Sequence, residues 1–83
     1  MTDDKRVALI GIVVENPDSV EKMNFILHSY REYIIGRMGL PYREKNVSII
    51  SVAVDAPGSV ISAISGKIGM LDGVSTKTVY SNI

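Results

Sequence analysis

The sequence predicts an α+β fold in which one antiparallel sheet of four strands carries two helices on one of its faces. Three observations lead there. Segments with period-two apolar alternation and segments with helical apolar spacing follow one another in the order β-α-β-β-α-β. Gly, Pro, Asn and Asp gather at the joints between them. The first and third strand segments are apolar on both alternating sets while the second and fourth are not, and a strand apolar on both sides is covered on both sides.

The first strand spans residues 6–14. Val7, Leu9 and Val13 point one way and Ala8, Ile10, Ile12 and Val14 the other. Residues 1–5, Met-Thr-Asp-Asp-Lys, read as a disordered N-terminal tail, and residues 6–83 as one domain. Asn16-Pro17-Asp18 opens the first helix. Asn is a good N-cap, Pro suits the first helical position because its missing N–H would be unpaired there, and Asp18 complements the helix dipole. Val20, Met23, Leu27, Tyr30 and Ile34 then form one apolar stripe, with Gly36 marking its end.

Residues 34–42 hold Gly36, Gly39 and Pro41. Proline cannot donate to a sheet ladder, so this is an edge strand. Arg43-Glu44-Lys45-Asn46 is the hairpin turn, with Asn46 suited to positive φ. Residues 47–54 form the third strand, Ile50, Val52 and Val54 against Val47, Ile49 and Ala53. Pro57-Gly58-Ser59 starts the second helix, whose stripe is Ile61, Ile64, Ile68 and Leu71. Asp72-Gly73 turns the chain into a more polar last strand over residues 74–80. This is the split βαβ, ferredoxin-like arrangement, with sheet order 4-1-3-2. It demands that strands 1 and 3 be central, and they are the doubly apolar pair.

A fold with both helices on one face leaves the other face of the sheet open. Large apolar patches of that kind mark interfaces, so a homodimer or homotetramer is expected. Ile10, Ile12, Ile50 and Val52 are assigned to that interface. Phe25 stands among charges on the outer face of helix 1, and helix 2 presents Ser62, Gly66 and Gly69 outward. Either is a surface for a protein partner or an ordinary exposed face.

Composition narrows the function. Nine Lys plus Arg balance nine Asp plus Glu, which argues against direct nucleic-acid binding or a polybasic membrane surface. No apolar run is long enough to span a bilayer, and a cytoplasmic protein is expected. With no cysteine and one histidine, His28, neither a metal site nor a bound cofactor is expected. His28 reads instead as one half of a helical pair with Glu32. Ser65-Gly66-Lys67 lacks the upstream glycine of a phosphate loop, since Ile61 stands there. Asp3 and Asp4 lie in the tail, where nothing fixes their geometry. No catalytic set assembles, and the chain is not expected to be an enzyme.

Two places suit a small effector. One is the loop Glu15-Asn16-Pro17-Asp18, where free helical N–H groups point outward. The other is the basic group Arg37, Arg43 and Lys45 around the edge hairpin, which also serves as the usual charged defence of a sheet edge. Glu15, Asn16 and Asp18 are the expected loop contacts, and Arg37 and Arg43 the partners for a charged group.

The order of elements, with Leu71-Asp72-Gly73-Val74 leading into the last strand, resembles ACT and ACT-like regulatory domains. More specific are Gly36-Arg37-Met38-Gly39-Leu40-Pro41-Tyr42-Arg43 and Ser65-Gly66-Lys67-Ile68-Gly69-Met70-Leu71-Asp72-Gly73-Val74. With these the chain resembles, over nearly its whole length, the small stand-alone family labelled iron-only hydrogenase system regulators. The resemblance implies an ACT-like fold, a homo-oligomer and a regulatory role connected with hydrogenase maturation. Amino-acid-binding ACT domains carry a glycine in the loop after strand 1, where this chain has Glu15-Asn16-Pro17-Asp18. Related nickel-responsive repressors add a metal site and a DNA-binding segment, neither of which is legible here. The expectation is a regulatory binding module with an effector near a subunit interface, or an oligomeric interaction module with no small ligand.

Overall fold

A computed structural model describes residues 4–82. Strand β1 (Lys5–Val14) is followed by a 3-10 turn (Pro17–Ser19) and helix α1 (Val20–Ser29). A second 3-10 turn (Arg31–Tyr33) leads to β2 (Ile34–Tyr42), and a third (Arg43–Lys45) to β3 (Val47–Pro57). Helix α2 (Gly58–Gly69) and β4 (Val74–Tyr80) complete the order. The sheet runs β2-β3-β1-β4 and every pairing is antiparallel. This is the expected 4-1-3-2 sequence read from the other edge, with the two doubly apolar strands in the middle.

Local chemistry sets the joints. Asn16 Oδ1 accepts from Asp18 N at 3.0 Å and caps the first turn, with Pro17 inside it. Asn46 closes the β2–β3 hairpin at φ 55. Pro41 sits on the β2 edge opposite Ser48, where its missing N–H interrupts only one ladder. The register of β2 on β3 slips between Ile34 and Gly36, which is a bulge with Ile35 as the extra residue.

Three boundaries differ from expectation. β1 begins at Lys5, opposite Pro57, so the fifth residue belongs to the sheet rather than to a tail. Residues 1–3 of that proposed tail, Asp3 of the acidic pair among them, lie outside the described residues, and Asp4 is exposed. β3 continues to Pro57 because β1 is long enough to pair with it. α1 stops at Ser29, so Tyr30 ends the helix and Ile34 already belongs to β2. His28 therefore has no helical neighbour in Glu32, which sits in the 3-10 turn, and faces Arg31 instead.

The core joins Ala8, Ile10, Ile12 and Val14 of β1 and Ile50, Val52, Val54 and Ala56 of β3 to Met23 and Leu27 of α1 and Ile61, Ile64 and Ile68 of α2. Both helices thus cover one face. The interface expected from Ile10, Ile12, Ile50 and Val52 is on the wrong side of the sheet. All four are at most 5% exposed and lie under the helices. The open face is the other alternating set.

Candidate functional site

Among the described residues the open sheet face and the clefts around the loops and the α1 flank are candidate surfaces. The open face follows from the register. β1 contributes Val7, Leu9, Gly11 and Val13, and β3 contributes Ile49, Ser51, Ala53 and Asp55. Met38 and Leu40 of β2 lie opposite Ser51 and Ile49, and Lys77 and Val79 of β4 lie opposite Gly11 and Leu9. Seven of these, Val7, Leu9, Val13, Met38, Leu40, Ile49 and Val79, are apolar and between 38% and 73% exposed. A low row, Ser51 and Gly11, crosses the centre between two rows of longer side chains. The two charges, Asp55 and Lys77, sit toward a strand end and on an edge strand respectively. The face is thus apolar out to both sheet edges and interrupted in the middle by Gly11 and Ser51.

The loop after β1 is engaged by its own chain. Asn16 Nδ2 donates to Asp72 Oδ2 at 2.6 Å while Oδ1 takes the Asp18 N–H. Glu15 N donates to Gly73 O at 2.7 Å, and Ser19 Oγ donates to Asp72 O at 2.6 Å. Gly73, at φ +68, presses against this loop: a Cβ there would stand 2.8 Å from Asn16 Cβ. The amide of Asn16 is thus spent on joining the loop to the α2–β4 turn. Glu15 and Asp18 are exposed beside it.

Of the basic pair, Arg43 comes toward this loop and Arg37 does not. Arg43 and Pro17 line one cleft with Val14, Tyr42 and Asn46, but its volume is about 100 Å³, well under the several hundred usual for a ligand pocket. Arg37, opposite Val52 in the register, stands on the helix-bearing face and donates from Nη2 to Asn24 Oδ1 at 3.1 Å. There it lies between two larger clefts on the α1 flank. One, about 250 Å³, includes Val20, Met23, Gly39 and Ile50; the other, about 330 Å³, includes Leu27, His28, Arg31 and Ile34.

Sequence reasoning placed neither Asn24 nor Arg31 beside Arg37, and it assigned the open face to the wrong alternating set. Asn24, His28 and Arg31 recur at helical spacing, a signal that was available. The open face had one too. Its alternating set is broken by Gly11, Ser51 and Asp55, whereas the buried set is unbroken from Ala8 to Val14 and from Ile50 to Ala56. Among the described residues no cluster of His, Cys, Asp and Glu could hold a metal ion, and no helix is long and apolar enough to cross a membrane.

Comparison with known proteins agrees with this architecture. The profile of the TM1266-like family, described as "Iron-only hydrogenase system regulator, putative", matches residues 6–78. The solved structure of the uncharacterized protein TM1266 from Thermotoga maritima is 37% identical, with TM-score 0.89, and the match covers 93% of this chain and 98% of that one. The C-terminal domain of the MgtC protein from Mycobacterium tuberculosis shares the fold at TM-score 0.74 and 7% identity, over 98% of this chain and 93% of that one. A formyltetrahydrofolate deformylase from Pseudomonas putida KT2440 matches at TM-score 0.67 and 11% identity, over 93% of this chain and 29% of that one. No curated protein matches.

Proposed function

The chain belongs to the TM1266-like family, described as "Iron-only hydrogenase system regulator, putative", and we propose on that premise that it is a stand-alone regulatory module working as a homodimer. The open sheet face carries this reading. Its seven apolar residues are each 38–73% exposed and lie on one continuous face, the kind of contiguous apolar patch that marks an interface. A second copy is the occupant that fits. A two-fold pairing sets the same apolar face against itself, and a chain with zero formal net charge meets its own copy without net repulsion.

Regulation then has a physical form. An effector that binds one association state better than the other shifts the equilibrium between them, and it acts only to the extent of that difference. The second reading, an interaction module with no small ligand, is favoured by Phe25, which is 71% exposed on the outer side of α1.

Sedimentation equilibrium tests the dimer. The native chain is expected to sediment as a dimer at micromolar concentration, and Leu9→Asp as a folded monomer with dimerisation weakened at least roughly a hundredfold, because a carboxylate would be buried unpaired. Ile10→Asp, under the helices, is expected to unfold the chain instead. A native monomer, or a Leu9→Asp dimer of unchanged affinity, overturns the proposal.

A further inference from the structure

The groove between α1 and the edge strand β2 exists because the helix packs toward α2 and the sheet centre and leaves the β2 edge uncovered. Its two clefts share Asn24 and Arg37, whose hydrogen bond at 3.1 Å spans the groove. The floor is apolar, with Met23 and Leu27 fully packed below and Ile34 at the side. The rim is cationic. Arg31 donates from Nη1 to the His28 carbonyl at 3.0 Å and lies 3.4 Å from His28 Nε2.

No Asp or Glu lines either cleft. Among the described residues Arg31 and Arg37 make their hydrogen bonds only to neutral carbonyl, amide or imidazole groups. Two guanidiniums therefore face one groove with no carboxylate between them, in a chain whose acids and bases balance overall. A guanidinium with spare N–H groups is a fork for a carboxylate or phosphate. An apolar floor beside it favours an anion with a hydrocarbon body over a bare one.

We propose that this groove binds a small organic anion, its carboxylate or phosphate held by Arg37 and Arg31 and its apolar body lying against the partly exposed Ile34. This deepens the regulatory reading and rests on it only for the ligand's being an effector. The site is built within one chain, on the helix-bearing side of the sheet, away from the proposed dimer face.

An NMR titration of the full chain tests it, reading backbone amide shifts with hexanoate, inorganic phosphate and 1-hexanol as probes. Hexanoate is expected to give saturable shifts centred on Asn24, Leu27, Arg31 and Arg37. Phosphate, lacking the apolar body, and hexanol, lacking the charge, are each expected to bind at least roughly tenfold more weakly. Arg31→Gln and Arg37→Gln, both exposed changes, are expected to cost roughly tenfold each in hexanoate affinity, and Lys67→Gln, outside the groove, to cost none.

Leu9→Asp is expected to bind hexanoate as the native chain does, so loss of the dimer and loss of the site read separately. If phosphate binds as tightly as hexanoate, the site is one for bare anions and the proposal fails. It also fails if hexanol binds as tightly, if neither anion gives saturable shifts in the groove, or if both arginine variants bind unchanged.

Discussion

Replacing Gly73 with alanine tests how the loop after β1 is held. Alanine at φ +68 costs about 1–2 kcal/mol in backbone conformation. Its Cβ would also stand 2.8 Å from Asn16 Cβ and 3.0 Å from Asn16 N, so the loop must move. The variant is expected to lose about 2–4 kcal/mol in urea denaturation, and a change under about 0.5 kcal/mol would show that the loop is not pinned there. Residues of this kind were legible as local chemistry: Asn16 as a cap, Asn46 as a positive-φ residue, Asp72-Gly73 as a turn. What local chemistry could not reveal is that Asn16 donates to Asp72, 56 residues away. That contact exists only because β1 and β4 are neighbours in the sheet, which topology decides. The same holds for Ser19, buried by its bond to the Asp72 carbonyl.

α1 shows how far periodicity reaches at the level of the element. The stripe Val20, Met23, Leu27 is real, and Met23 and Leu27 are the helix residues packed against the sheet. The continuation to Ile34 is not helical. Tyr30 and Ile34 keep apolar contact through a 3-10 turn and the start of β2, and burial alone produced their helical spacing. Leu27→Ala is expected to cost about 2–5 kcal/mol. Phe25→Ala, on the same helix facing away from the core, is expected to stay within about 0.5 kcal/mol. Denaturation at one fixed protein concentration checks both, since association adds a concentration-dependent term. Equal losses would mean that the outer face of α1 is packed as well. In the strands, alternation identified which segments were central but not which side faced the helices. Both sets were apolar, and only the interruptions at Gly11, Ser51 and Asp55 mark the outer one.

For the whole molecule, two helices can cover one side of a four-stranded sheet and no more. The sequence nevertheless makes the other side apolar at Leu9, Val13, Met38, Leu40, Ile49 and Val79. The existence of a surplus apolar face was legible, and the interruptions at Gly11, Ser51 and Asp55 mark its set on β1 and β3; that Met38, Leu40 and Val79 extend it needed the structure. An isolated chain would leave that face in water, at an apolar-burial value of about 25 cal/mol per Å². The central claim is that a second copy covers it. The most direct measurement is the solvent paramagnetic relaxation of methyl groups in the native chain at concentrations where it associates. If the claim holds, the methyls of Leu9, Met38, Leu40 and Ile49 are shielded nearly as well as that of Ile10, while Met70, 87% exposed on the opposite side, relaxes fully. Open-face methyls that relax as fast as Met70 would contradict it.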